Sequence, residues 1–246
     1  VTVDREENIH LLSPLDGPQG YTTEFGWLPR PDAGLALPDV NTRWTADKPR
    51  LQVGDDVTLS WDNGQGLLFK RHISVDENYL FTVSQSVENN SDAAITLYPF
   101  AKITRRGLPE TRGFFVLHEG VVGVIDGSLE EVDYDEMEDE KVIDMTSTGG
   151  GLGMTDQYWM TALVPDQDRP FSARLVYRDG VQGDYVVSYR EDGQTIAPGA
   201  RVEITNQLFA GAKEVDVIEA YETDHSIEKF DLTIDWGWFR FLTKPI

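Results

Sequence analysis

Lys70-Arg-His-Ile-Ser-Val-Asp-Glu-Asn-Tyr-Leu-Phe-Thr-Val-Ser-Gln-Ser-Val87 is the stretch that decides the fold class. Lys70 to Val75 and Tyr79 to Val87 read as two strands around Asp76-Glu77-Asn78, with Tyr79, Phe81, Val83 and Val87 on one side. Alternation of period two puts every second side chain on one face of a strand, and a short Asp/Asn-bearing interval between two such runs predicts a hairpin. The pattern continues outward in both directions. Val57-Thr-Leu-Ser-Trp61 alternates and ends in the turn residues Asp62-Asn63-Gly64. Phe171 to Tyr177 and Tyr185 to Tyr189 flank Arg178-Asp179-Gly180, and Arg201 to Thr205 follows Ala197-Pro198-Gly199. About ten closely spaced strand candidates with short connections predict an all-β protein of antiparallel sheets packed face to face.

Helical periodicity is confined to the C-terminal end. Val215, Ile218 and Tyr221 recur at i, i+3 and i+6, with Glu214 and Asp216 where the helix dipole favours anions, predicting a short helix near 214–224. No Pro/Gly/Ser-rich linker divides the chain, so residues 1–234 are expected to form one domain. Residues 235–246 differ from the rest. On a wheel of about 100° per residue, Thr243 and Lys244 fall near Arg240, while Trp238, Phe239, Phe241 and Leu242 fill the opposite side. An amphipathic helix at a membrane interface and a helix packed on the sandwich both fit this pattern.

The 246 residues carry 43 Asp+Glu against 21 Lys+Arg, a formal net charge of −22. Such a surface repels phosphate, which excludes a basic nucleic-acid binder and disfavours anionic membrane surfaces. The absence of cysteine excludes a disulfide framework, thiolate metal sites and a cysteine nucleophile. No run approaches the roughly 18 apolar residues of a membrane-spanning helix. The chain starts at Val1 and stops at Pro245-Ile246 straight after an aromatic cluster, so it is read as an excised soluble piece whose flanks could have carried targeting or membrane segments.

Few motifs carry chemistry. The run Glu130-Glu-Val-Asp-Tyr-Asp-Glu-Met-Glu-Asp-Glu140 lacks the ordered Asp/Asn and Gly positions of an EF-hand loop and is read as a solvated strand edge or loop. Thr148-Gly-Gly-Gly-Leu-Gly-Met154 is glycine-rich without a GxGxxG or a following Lys-Ser/Thr, which predicts a tight turn or close backbone approach rather than a phosphate cradle. His10, His72, His118 and His225 stand in no metal-ligand spacing, and no GxSxG elbow signals a serine nucleophile. Asn89-Asn90-Ser91 matches a glycosylation sequon at no more than chance level and is read as a turn. Trp27, Trp44, Trp61 and Trp159 lie on β elements, where they either pack between sheets or stack on sugar rings. The reading assigns no catalytic residue, no metal and no cofactor.

Several stretches together resemble one family. Asp235-Trp-Gly-Trp-Phe-Arg-Phe-Leu-Thr-Lys-Pro245 is similar to the segment joining the large periplasmic domain of bacterial YidC-type membrane protein insertases to their second transmembrane helix. Thr148 to Trp159 resembles that family's glycine-rich "GGW-G-TDKYW" region, with Gly151 where the family often has Trp. Leu208-Phe-Ala-Gly-Ala-Lys213 resembles its "FxGPK" turn, with Ala212 in place of Pro. Tyr98-Pro-Phe100 and Gly113-Phe-Phe-Val-Leu-His-Glu-Gly120 resemble strands associated with α-proteobacterial members. The motif residues marked by this resemblance are Gly150, Gly151, Gly153, Asp156, Tyr158, Trp159, Gly211 and Lys213.

The resemblance implies a β-supersandwich of galactose-mutarotase type with short C-terminal helical segments, and a non-enzymatic scaffold or docking module on the periplasmic side of the bacterial inner membrane. It implies a whole protein that inserts and folds inner-membrane proteins, with the Sec translocon or accessory subunits and nascent inner-membrane proteins as partners. The isolated domain is expected to be monomeric, with no nucleic-acid partner. Trp236, Trp238, Phe239, Phe241 and Leu242 become the expected membrane-interface anchors, Arg240 and Lys244 the headgroup contacts, and Pro245 the break before a transmembrane helix. A carbohydrate-binding or sugar-modifying domain of the same fold is the alternative; it requires a Trp-bearing cleft with converging His or carboxylate groups. A chaperone-like groove for unfolded segments is a third.

Overall fold

The computed structural model describes residues 10–17, 19–31, 33–109, 118–225 and 227–233. The segment 235–246, with Trp236, Trp238, Phe239, Arg240, Phe241, Leu242, Lys244 and Pro245, lies outside the described residues. In chain order the strands are β1 (Tyr21–Pro29), β2 (Thr45–Ala46), β3 (Asp56–Asp62), β4 (Leu67–Val75), β5 (Leu80–Asn89), β6 (Ile95–Arg106), β7 (Gly120–Ile125) and β8 (Ser128–Asp133). A helix α1 (Tyr134–Glu140) then leads into β9 (Val142–Thr148), β10 (Gly151–Thr155), β11 (Trp159–Val164), β12 (Pro170–Arg178), β13 (Asp184–Glu191), β14 (Gln194–Ile196) and β15 (Arg201–Ala212). Helix α2 (Val215–Asp224) and a 3-10 turn at Phe230–Thr233 close the described chain.

The all-β, antiparallel, two-sheet architecture is what the alternation predicts. One sheet has the order β1-β6-β13-β12-β9, with β14 also paired to β6; the other runs β2-β3-β4-β5-β15-β11-β10-β7-β8. The deciding hairpin is β4–β5, in register from Leu67↔Asn89 to Val75↔Phe81. Phe81, Val83 and Val87 turn toward the facing sheet, but Tyr79 does not join them: it sits in the turn at φ 69° and is exposed. Asp76 holds this turn, its carboxylate accepting from the backbone N–H groups of Asn78 and Leu80 at 2.9 and 2.8 Å.

Two apolar clusters fill the space between the sheets. One joins Phe25, Ile103, Leu175 and Val187 to Val83, Val121, Leu163 and Leu208; the other joins Trp27, Leu97 and Ile196 to Leu67, Phe69, Val87 and Ile204. A third lies on the outer face of the larger sheet, where Ile218 and Tyr221 of α2 and Phe230 of the 3-10 turn cover Leu80, Val122, Met160, Val164 and Phe209. This cover explains why Met160 to Val164 is buried without alternation: Leu163 faces the other sheet while Met160, Ala162 and Val164 face the helix. Each large side chain so buried contributes about 1.5–3 kcal/mol.

Three local readings change. The acidic run divides: Glu130 to Asp133 is the exposed edge strand expected, as part of β8, whereas Tyr134 to Glu140 is helical rather than strand or loop. Tyr134 and Met137, three residues apart, turn one face of α1 into the core, which overrides like-charge repulsion along the exposed face. Leu208 to Ala212 is not a turn but the end of β15, and the chain leaves the sheet only at Lys213. The described strands also exceed the expected number, because β2 and β14 span only two and three residues and β10 is glycine-rich.

A polar seam separates the two clusters between the sheets. Asn206 donates its side-chain N–H to the Glu191 carboxylate at 2.7 Å, and Arg169 approaches that carboxylate at 3.7 Å. Burial is the main reason the Glu191 pKa is raised; Asp166 and Asp192 add to the shift, while Asn206 and Arg169 oppose it. The folded state therefore binds this proton more tightly than the unfolded chain, and stability falls as pH rises from the unfolded value near 4.5 through the higher folded one. Urea-unfolding midpoints measured from about pH 4 to about pH 8 should show that fall flattened in Glu191→Gln. Equal pH dependence in both proteins would reject the assignment.

Candidate functional site

The two glycine-bearing motif stretches meet on the larger sheet. The chain reverses at Gly149 and Gly150, both at positive φ (74° and 79°), and enters β10 between β7 and β11. Gly153 pairs with Ala162, and a Cβ there would lie 2.2 Å from the Thr161 carbonyl oxygen and 2.6 Å from the Ala162 Cα. At Gly151 a Cβ would lie 2.8 Å from the Leu163 carbonyl oxygen, so the backbones approach closely where the related motif has Trp. Beyond the turn, Asp156 N–H donates to the Trp159 carbonyl at 2.8 Å. Trp159 pairs with Ala212 and Met160 with Gly211, and Lys213 N–H donates to the Tyr158 carbonyl at 2.9 Å. Tyr158 is exposed, 57% open to solvent, while Trp159 is half-buried.

Asp156 anchors this corner to the other sheet. Its carboxylate meets the Arg105 guanidinium of β6 at 2.7 Å, with both side chains largely buried, and Arg105 lies 4.8 Å from the Tyr21 ring centroid. Burial works against the Arg105 charge, and the Asp156 carboxylate opposes this through its charge and its hydrogen bond. Burial likewise raises the Tyr21 and Tyr134 hydroxyls, keeping both neutral. A neutral, hydrogen-bonded corner of this kind positions strands; it presents no group poised for acid–base work.

The open feature lies at one side of the sandwich. β8 ends one sheet and β9 ends the other, and α1 joins them. Between Ser128 and Asp144 stand nine carboxylates and one lysine, a net of −8 out of the chain's −22. Among the described residues Glu130, Glu131, Asp135, Glu136, Asp139 and Glu140 are in no ion pair. Asp144 is held in two contacts by Arg174 at 2.6 and 2.9 Å, and Asp133 by His118 at 3.2 Å. Val142, 48% exposed, and Leu129, 37% exposed, put apolar side chains on these edge strands amid the acids. Two strand edges with no further strand beside them among the described residues, apolar knobs and unneutralised carboxylates together form a surface suited to an extended, basic protein segment. Sequence reading missed it because pairing order is invisible locally, although the acidic run marked the place.

The other sequence candidates scatter. Trp27 is buried and Trp44 and Trp61 pack against the same cluster, so these three favour the inter-sheet reading over a sugar platform. His72 lies near Asp56, and His225, beside Gln207, lines one open pocket with that Asp56; His118 stands apart beside Asp133, and His10 is exposed. Asn89 of the sequon is buried, its side chain donating to the Ala93 and Ile196 carbonyls at 2.8 and 2.9 Å. Among the described residues no group of three or more His, Asp or Glu is arranged to hold a metal ion, and no helix is long and apolar enough to cross a membrane.

Comparison with known proteins adds a family. Residues 1–246 match the family model described as the YidC periplasmic domain. A Methylorubrum extorquens protein with the name Membrane protein insertase YidC is 46% identical over 254 residues, covering 99% of this chain and 41% of that protein. A Rhizobium johnstonii protein of the same name is 45% identical over 245 residues, again covering 99% of this chain and 41% of the relative. The chain thus spans about two fifths of the length of these relatives. Among solved structures, a galactose mutarotase-like protein from Lactobacillus casei matches at TM-score 0.47 and 9% identity, over 65% of this chain and 71% of that one. A putative aldose 1-epimerase from Escherichia coli matches at TM-score 0.46 and 10% identity, over 70% and 69%.

Proposed function

The chain belongs to the YidC periplasmic-domain family, and from that premise we propose that it is a non-enzymatic docking module held on the periplasmic side of the bacterial inner membrane. In this reading the whole protein inserts and helps fold nascent inner-membrane proteins, alone or with the Sec translocon. The sandwich receives a translocon or accessory subunit, and residues 235–246 connect it to the membrane. Trp238, Phe239, Phe241 and Leu242 would seat at the interface, Arg240 and Lys244 at headgroups.

The observation that carries the docking role is the pair of open edges, β8 and β9, under an acidic flank. A Lys/Arg-bearing extended segment gains backbone hydrogen bonds from an edge strand and charge complementarity from Glu130, Glu131, Glu136 and Glu140. Trp27 lies within the inter-sheet cluster and Trp44 and Trp61 pack against it, which supports docking over a sugar platform built from these three.

The test uses the full-length insertase. Changing Glu130, Glu131, Glu136 and Glu140 together to Gln is expected to lower partner recovery from solubilised membranes roughly tenfold at low salt. The difference should close at high salt, where screening removes the same attraction. Unchanged recovery at low salt would reject the acidic flank as the docking surface.

A further inference from the structure

Five buried polar atoms without a protein hydrogen-bond partner lie on the facing sides of the two sheets. They are Nε2 and Oε1 of Gln85, Oδ1 of Asn206, Oε2 of Glu191, which faces Arg169 only at ion-pair distance (3.7 Å), and the Tyr189 hydroxyl, and all four residues are essentially removed from solvent. The strand registers put them in one cross-section. Gln85 pairs with Ile204 on β15, two residues from Asn206 on the same face, and Asn206 reaches across to Glu191. On its other side Gln85 pairs with Arg71 of β4, whose guanidinium donates to the Phe25 carbonyl. Phe25 pairs with Ala101 and Ala101 with Tyr189, two residues before Glu191 on β13. The path Gln85–Arg71–Phe25–Ala101–Tyr189–Glu191–Asn206 therefore closes around the seam between the two apolar clusters.

We propose that this seam is an internal water-binding site. The unmet set mixes amide N–H donors with amide, carboxylate and hydroxyl acceptors, and water serves both kinds at once. A metal cation offers nothing to the Gln85 amide hydrogens, and an anion is repelled by Glu191. Turning the Gln85 amide over does not help, because both of its ends are unmet. Each buried water takes about two to four polar partners, so five unmet atoms call for roughly two or three molecules. Arg71 bounds the site on the open side, its guanidinium 4.6 Å from the Trp44 ring centroid; burial brings its pKa down to about 10, against the pull of Glu24.

A crystal structure of this chain at a resolution that shows ordered solvent is the first readout. Spherical density within hydrogen-bond distance of Gln85, Asn206, Tyr189 and Glu191 is expected. A dry seam in which these groups bond to protein atoms, or density with metal geometry, would overturn the proposal. The second readout counts long-lived waters by oxygen-17 relaxation dispersion in the wild type, in Gln85→Leu and in Ser84→Ala on the outer face. Loss of at least one long-lived water in Gln85→Leu alone is expected, and an unchanged count in that folded variant would overturn it. Where Gln85→Leu does not fold, the wild-type density decides.

Discussion

Gly153→Ala is expected to destabilise the domain by about 3 kcal/mol or more. The added Cβ meets backbone on both counts, the Thr161 carbonyl oxygen at 2.2 Å and the Ala162 Cα at 2.6 Å, and neither can swing aside as a side-chain tip would. Relief requires parting β10 from β11 in the middle of the larger sheet, with the Met160 to Val164 strand that both the facing sheet and α2 pack against. For a domain of this size the loss reads as a fall in Tm of about 6–12 °C. Gly180→Ala is the control, since its Cβ would meet nothing closer than the Gly183 nitrogen at 3.8 Å. A Tm for Gly153→Ala matching that control would show that β10 has slack the close approach denies.

Asp156→Ala is expected to cost about 3 kcal/mol, because it strands the largely buried Arg105 guanidinium without its counter-charge. The pair itself is a poor net stabiliser by the same reasoning: desolvating two charges consumes most of their attraction. Asp156→Ala combined with Arg105→Met should therefore recover a large part of the loss, measured by urea unfolding in a double-mutant cycle. Additive losses would mean that Arg105 acts through its contact with the Tyr21 ring rather than through the ion pair.

What the residues disclosed locally and what they hid follow a physical division. Alternation is a local signal, so β4–β5 and β12–β13 were legible as hairpins, and Val215, Ile218 and Tyr221 marked the helix that became α2. Both-face burial is not local: Met160 to Val164 loses its alternation only because α2 returns to cover the sheet. Helix α1 escaped because seven residues offer a single pair, Tyr134 and Met137, to indicate a face, and the surrounding carboxylates argue for solvent. Tyr79 fits the alternating pattern yet serves the turn, where its left-handed conformation is imposed by the hairpin rather than by its own preference.

The candidate site shows the same division more sharply. Motif residues Gly150, Gly153, Asp156, Gly211 and Lys213 were identifiable as a set, and their roles emerge from pairing: close approach, an inter-sheet ion pair, and the junction of β11 with β15. The acidic flank was visible as composition, but its meaning depends on β8 and β9 being the last strands of different sheets. Gln85 shares by alternation the face of Phe81, Val83 and Val87, and the structure buries it completely on that face.

The docking claim is tested most directly by photocrosslinking from single positions of the full-length insertase in its native membrane. Probes belong at Val142 on β9 and Leu129 on β8, with Val53 before β3 and Val40 as exposed positions at the other end of the larger sheet. Docking on the acidic edges predicts adducts with a translocon or accessory subunit at Val142 and Leu129 and none at Val53 or Val40. Adducts to such a subunit at Val53 or Val40, with Val142 and Leu129 silent, would contradict it.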